Sequence, residues 1–185
     1  MSDLIAPEIL QNRLSYQGSK FSFHVDRIKL PHGVTGEYAY IKHPGAGMAV
    51  PITADGKFVL VKQYRFAIQR YLLEFPAGTL EVGEDHDVTI KREIKEETGY
   101  RASQWHYLGG FYICPGYSDE IIHAYLAQGL EKLEHPPAQD EDEEIEVVLL
   151  SREEIEMLLR SQSAEASLDA KSITAFHLAL QALQI

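Results

Sequence analysis

Between Gly78 and Tyr100 the chain reads GTLEVGEDHDVTIKREIKEETGY, and Glu93, Glu96 and Glu97 crowd into five consecutive positions of it. A helix is predicted from about His86 to Thr98, with Asp85 as N-cap and Gly99 at the C-terminal stop. At about 100° per residue, Ile90 and Ile94 define a buried stripe, and Lys91, Lys95 and Val88 fall toward the opposite side. Glu97 lands beside Ile90, with Glu93 next to it one turn back. Two carboxylates thus share the margin of the apolar stripe, and Glu96 stands one step further round. Like charges four residues apart destabilise a helix by roughly 0.2–0.5 kcal/mol, and partial burial adds a desolvation cost. A hard divalent cation removes both penalties, because Mg²⁺ takes one or two carboxylates and completes its octahedron with water and substrate phosphate. The helix alone leaves a second reading open, a solvated acidic face satisfied by Lys91, Arg92 and Lys95.

The flanking residues favour the first reading. Gly78, Glu84, Arg92, Glu93, Ile94, Glu96, Glu97, Gly99 and Tyr100 fall in register on every fixed position of G-x5-E-x7-R-E-U-x-E-E-x-G-U, where U is a bulky apolar residue. The segment therefore resembles the Nudix box, with Tyr100 aromatic where an aliphatic residue is usual. The resemblance implies a loop–helix–loop that holds metal between a central mixed sheet and flanking helices. By position, Glu93 and Glu97 are the expected Mg²⁺ ligands, with Mn²⁺ as the alternative ion. Glu96 is a further direct or water-mediated ligand with a part in catalysis, and the Ala77 carbonyl is another ligand. Glu84 and Arg92 are expected to be structural, forming the ion pair that orients the helix. Gly78 is expected to permit a tight backbone turn.

Substrate must be read outside the box. Leu73-Glu74-Phe75-Pro76-Ala77-Gly78 and Gln63-Tyr64-Arg65 are similar to the ADP-ribose pyrophosphatase subfamily, as is the loop Cys114–Glu120, with Pro115 sixteen residues beyond Gly99. Tyr117, eighteen residues beyond Gly99, sits at a position associated with diadenosine polyphosphate hydrolases. Pro115, Gly116 and Tyr117 are the candidate substrate loop, and Pro115-Gly116 also reads as a plain strand-ending turn. Arg65 is a candidate for the diphosphate or terminal ribose, since a strand-end Arg makes bidentate contacts to phosphate; a surface salt bridge is its other reading. The acidic run Gln139–Glu146 resembles the subfamily's mobile catalytic loop, which makes Glu141 the expected general base and Glu143 a base or metal-contacting alternative. The implied reaction is Mg²⁺-dependent hydrolysis of ADP-ribose to AMP and ribose 5-phosphate. Another nucleoside diphosphate sugar such as GDP-mannose, a dinucleoside polyphosphate, or a sensor that binds ADP-ribose without cleaving it are the competing readings.

These residues need a scaffold. Lys20–Leu30 and Thr35–His43 alternate apolar with polar residues around Pro31-His32-Gly33, a hairpin signature. Met48–Thr53 and Lys57–Tyr64 flank Ala54-Asp55-Gly56, a second hairpin signal. Tyr71–Phe75 is a short strand, and further strands are predicted at Trp105–Ile113, Ile121–Ala127 and Ile145–Leu150. Ser151-Arg152-Glu153-Glu154 has capping-box spacing ahead of a helix, and Ala166–Ile185 reads as a closing helix. The order gives an α+β fold, an α/β/α sandwich with a mixed central sheet and an N-terminal antiparallel region. Residues 1–45 are expected to be a dimerisation element and 46–185 the Nudix domain. Related enzymes are homodimers whose N-terminal sheets exchange, so a homodimer is the expected assembly.

Bulk properties narrow the partners. The 185 residues carry a formal charge of −11, which argues against nucleic acid or an anionic membrane and for a small-molecule nucleotide. A polyanionic protein that binds a diphosphate needs local positive charge, and divalent cations on its own carboxylates supply it. With one cysteine, Cys114, no intramolecular disulfide or thiolate cluster forms, and the eight histidines show no zinc spacing. Neither a signal segment nor a spanning apolar run is visible, so a cytoplasmic protein is expected.

Overall fold

The structure is a computed structural model, and it describes residues 5–138, 144–161 and 168–184. The chain divides into two compact units, residues 1–45 with 112–121, and residues 46–111 with 122–185.

The first unit is an antiparallel sheet in the order β1 (Glu8–Gln17), β2 (Ser22–Lys29), β3 (Thr35–Lys42). The β2–β3 hairpin forms where Pro31-His32-Gly33 predicts it, with Gly33 at φ 91°. Sequence reading assigns no element to the residues ahead of Lys20, yet β1 occupies ten of them. Two register shifts, at Ile9/Gln11 and Asn12/Leu14, break its alternation, which removes the period-two signal. Asp26 of β2 is buried, and Asn12 Nδ2 and Tyr40 Oη donate to its carboxylate at 2.7 Å each. The loop 112–121 is pinned to β3: Ile41 donates to the Tyr117 carbonyl at 2.8 Å and accepts from Asp119 N–H at 3.2 Å.

The second unit holds two sheets. One runs β7 (Ala77–Thr79), β4 (Ala46–Pro51), β9 (Ile121–Lys132), β8 (Tyr100–Tyr112), and it is mixed, since β4 is parallel to β9 and antiparallel to β7. The other is antiparallel, β10 (Ile145–Leu150), β5 (Phe58–Arg65), β6 (Arg70–Glu74). Among the described residues three helices complete it: α1 (His86–Thr98), α2 (Arg152–Arg160) and α3 (Ala170–Leu183). All of β4 is buried, as its unbroken apolar run requires of a strand covered on both faces. It packs on α1, where Ala49, Ile90, Ile94, Tyr125 and Ala127 form one core, and it also meets α3. Phe176 of α3 stands edge-on to Phe58, with ring centroids 5.2 Å apart. The result is the expected α+β fold with a mixed sheet and flanking helices.

The Asp55-Gly56 turn forms, with Gly56 at φ 82° and Thr53 N–H bonded to the Lys57 carbonyl, but the expected hairpin does not continue from it. Beyond a single bridge at Ile52 and Phe58 the strands part into different sheets. Both edges of β4 are already taken, by β7 and β9, so β5 finds its partners in β6 and β10. The α2 capping box is complete: Ser151 Oγ accepts from Glu154 N–H at 3.2 Å and Glu154 accepts from Ser151 N–H at 2.7 Å. The closing helix starts at Ala170, later than predicted, because Asp169 caps it by accepting from Ser172 N–H at 2.9 Å.

Candidate active site

Helix α1 has the predicted bounds, and Gly99 takes the left-handed conformation at φ 70° that ends it. Ile90 and Ile94 are fully buried, and Glu97 is only 4% exposed, as its place beside Ile90 demands. Glu97 accepts the Ala77 N–H at 3.1 Å, which ties the C-terminal half of the helix to β7.

Strand β7 explains the residues ahead of the helix. The Pro76 carbonyl accepts from Ala49 N–H at 3.0 Å, and Met48 is paired with Ala77. Hydrogen-bonded and non-hydrogen-bonded pairs alternate in an antiparallel ladder. Ala77 therefore stands at a non-hydrogen-bonded pair, and its N–H and carbonyl turn away from β4, on the side where its N–H meets Glu97. Gly78 plays a different part from the expected one. It lies inside a strand and is not among the glycines with positive φ. Instead, a Cβ on Gly78 would overlap the Glu93 carboxylate and its Cγ. The glycine is needed for close approach: it leaves a cradle for Glu93 against the strand.

Arg92 binds the acidic face together. Its Nη1 donates to Glu93 and to Glu96, both at 2.9 Å, and its Nη2 to Glu84 at 3.5 Å. The predicted Glu84–Arg92 pair thus exists as one arm of a three-carboxylate cluster. Thr89, which sequence reasoning overlooked, holds Glu84 more closely, donating from Oγ1 at 2.9 Å. Burial pushes the Glu84 pKa up, but the Thr89 hydroxyl, the Glu81 backbone and Arg92 outweigh it and leave the carboxyl below its ordinary value. Burial opposes the charge on Arg92, yet the Glu93 charge and the Glu96 hydrogen bond raise its pKa. The alternative reading of the face as neutralised by three cations fails in one particular, because Lys91 pairs with Asp87 at 2.9 Å.

Arg65 ends β5, and its Nε and Nη2 donate to the two oxygens of Glu74 at 2.6 and 2.5 Å. Arg65 thus does form a salt bridge, but to a partner that is only 1% exposed. Lys171 of α3 also donates to Glu74 and to Asp169. Next along the chain, Phe75 N–H donates to Ser172 Oγ at 2.9 Å. The Glu74 signal lay within the motif before the box, whereas Lys171 stands 97 residues away and carries no local signature.

Ala77, Gly78, Glu84, Arg92, Glu93, Glu96, Glu97 and Arg65 all lie in the second unit. Pro115, Gly116 and Tyr117 belong to the first, in a turn where Cys114 O accepts from Tyr117 N–H and Ser118 N–H. Glu141 and Glu143 lie outside the described residues. Among the described residues no three His, Cys, Asp or Glu side chains form a ready metal cage. The donor chemistry nonetheless fits a hard cation that uses one or two carboxylates: Glu93, Glu96 and Glu97 offer only oxygen, and the Gly78 cradle is kept open for one of them.

The family model for the NUDIX domain matches residues 42–171. The chain is 39% identical over 170 residues to the "ADP-ribose pyrophosphatase" of Bacillus subtilis (strain 168), covering 92% of this chain and 88% of that one. It is 40% identical over 154 residues, 83% of each chain, to the "Methanol dehydrogenase activator" of Bacillus methanolicus. Among solved structures, an "ADP compounds hydrolase" superposes with a TM-score of 0.83 at 24% identity, covering 100% of this chain and 97% of the other, which is a likeness of fold. No helix among the described residues is long and apolar enough to cross a membrane. With a complete box folded as a strand–loop–helix and a family model spanning most of its length, the chain belongs to the Nudix family.

Proposed function

We propose that this protein is a Mg²⁺-dependent nucleoside diphosphate sugar hydrolase that converts ADP-ribose to AMP and ribose 5-phosphate. The observation that carries the reading is the complete acidic face of α1, with Glu93 cradled on Gly78 and Glu97 held by Ala77. The relatives named ADP-ribose pyrophosphatase support the substrate.

Glu93, Glu97, Glu96 and the Ala77 carbonyl would hold the cation, with Mn²⁺ as an alternative to Mg²⁺. When bound, such a cation supplies charge for the phosphate oxygens and lowers the pKa of a bound water. Arg92 pairs with Glu84, Glu93 and Glu96 and keeps these three carboxylates in place before substrate arrives. Arg65 would meet the diphosphate, and Pro115, Gly116 and Tyr117 would line the substrate side. Glu141 or Glu143 would take the proton from the attacking water. Because charge develops on phosphate oxygens, fixed electrostatics and alignment supply most of the rate. The enzyme is read as a cytoplasmic homodimer, a reading supported by the apolar side chains exposed on β1.

A substrate panel tests this. Purified protein with Mg²⁺ is assayed on ADP-ribose, GDP-mannose, NADH and diadenosine polyphosphates. ADP-ribose is expected to give the highest kcat/KM, with AMP and ribose 5-phosphate in equal amounts. Preferential turnover of another member refutes the substrate, and tight binding of ADP-ribose without turnover identifies a sensor.

A further inference from the structure

The carboxylate of Glu74 is heavily partnered and lies outside the box, whose chemistry makes no use of it. It is 1% exposed and takes three charge-assisted hydrogen bonds, two from Arg65 and one from Lys171. A buried carboxylate needs compensating charge, and Lys171, itself largely buried, already provides it. Arg65 is different, for its side chain remains 43% exposed. A residue needed only to neutralise Glu74 has no reason to stay at the surface.

The geometry of the pair is side-on. Glu74 engages the Nε and Nη2 edge of the guanidinium, and among the described residues Nη1 makes no hydrogen bond. The outer edge is left with donors in a fixed plane, the fork that suits phosphate. The Glu74 hydrogen bond, against the opposing burial, raises the Arg65 pKa, and the charges of Glu74, Asp169 and Glu97 add to it in that order. Two residues after Glu74 comes Pro76, and then Ala77, whose N–H holds Glu97. The α3 N-terminus is tied to the same segment, through Lys171 on Glu74 and Ser172 on Phe75.

We propose that Glu74 is a positioning residue for substrate binding: it clamps one edge of Arg65 so that the other edge faces the substrate diphosphate, while Lys171 of α3 braces Glu74 with a second ion pair. The inference rests on the reading of the protein as a nucleoside diphosphate hydrolase. It assigns to Glu74 and to the closing helix a part in the reaction that the box does not contain.

A double-mutant cycle on the full chain with Mg²⁺ tests it, using wild type, Glu74→Gln, Arg65→Ala, the double variant, and Arg65→Lys. Glu74→Gln keeps the shape and removes the charge. Losing a charge-assisted contact made in both ground and transition states raises KM by roughly tenfold with kcat within about twofold. Arg65→Lys is expected to do the same, because an ammonium cannot hold both Glu74 oxygens and present a planar outer edge. In the Arg65→Ala background, Glu74→Gln is expected to add nothing to KM, since the group it positions is gone. A purely structural Glu74 gives additive effects across the cycle, and that result overturns the proposal. An unchanged KM in Arg65→Lys overturns it as well, and because Arg65 is half-exposed this variant decides the matter if Glu74→Gln fails to fold. Should wild type prefer a different nucleoside diphosphate derivative, the substrate reading fails separately and the same cycle is read on the preferred compound.

Discussion

Strands β4 and β1 both carry apolar residues, yet all of β4 is buried and all of β1 is exposed. Around β4, the second unit has a core of its own, built from Met48, Val50, Phe58, Leu60, Phe75, Ile90, Ile94 and Phe176. Ile9, Leu10, Leu14 and Tyr16 of β1 face solvent, while the same sheet buries Asp26 under hydrogen bonds from Asn12 and Tyr40. Burying apolar surface is worth about 25 cal/mol per Å², so the second unit secures its stability internally and the first leaves much of that gain unrealised. The box needs rigid support for its carboxylates, and it sits in the unit that has it. The proposed homodimer would cover the apolar side chains exposed on β1.

Substitutions in the box test the first half of this comparison and carry the largest effects. Glu97→Gln is expected to lower kcat for ADP-ribose by at least about 100-fold, in line with loss of a major electrostatic contributor, while circular dichroism stays native. Wild-type kcat in that variant removes Glu97 from the metal site. Gly78→Ala is expected to lower kcat by roughly 10–100-fold through displacement of Glu93, since misplacing a catalytic group by about 1 Å costs rate on that scale. The check is whether Mg²⁺ affinity falls together with the rate; an unaffected variant means that Glu93 needs no cradle.

The second half is broken in the N-terminal sheet. Leu14→Glu with Tyr16→Glu is expected to shift the protein from dimer to monomer by sedimentation, leaving the thermal transition of the box unit in place. If the double variant sediments as wild type does, β1 is not the dimer surface.

The smallest expected effect is one of pH. Burial, then the His86 charge, holds His123 below its ordinary value of 6.5. Its ring stacks on His86 with centroids 3.9 Å apart, and its Nδ1 lies 3.0 Å from Tyr107 Oη. The unfolded chain therefore takes up this proton first, so the stabilisation is complete above pH 6.5 and is lost as the pH falls below it. His123→Gln should flatten the fall in Tm as the pH drops below 6.5. A wild-type slope in that variant assigns the titration elsewhere.

Much of the second unit was legible in the sequence because its signals are local. The bounds of α1, the strand Ile145–Leu150 and the α2 capping box depend on residues within a turn or two of one another. The Glu84–Arg92 pair was legible too, being fixed within the box. What escaped were long-range choices. The separation of β4 from β5 depends on which strands occupy the edges of β4, and no local pattern encodes that. Gly78 was read as a turn residue from its place in the box, whereas the fold constrains it through the side chain of Glu93. Lys171 reaches Glu74 only after the fold has closed.

The most direct test of the central claim is the metal dependence of ADP-ribose cleavage, with both products quantified. After chelation the protein should be inactive, added Mg²⁺ should restore equimolar AMP and ribose 5-phosphate, and Glu97→Gln should not recover at the same Mg²⁺ concentration. Equal turnover with and without chelator, or full recovery by Glu97→Gln, would contradict the assignment of the acidic face of α1 as the metal-binding catalytic centre.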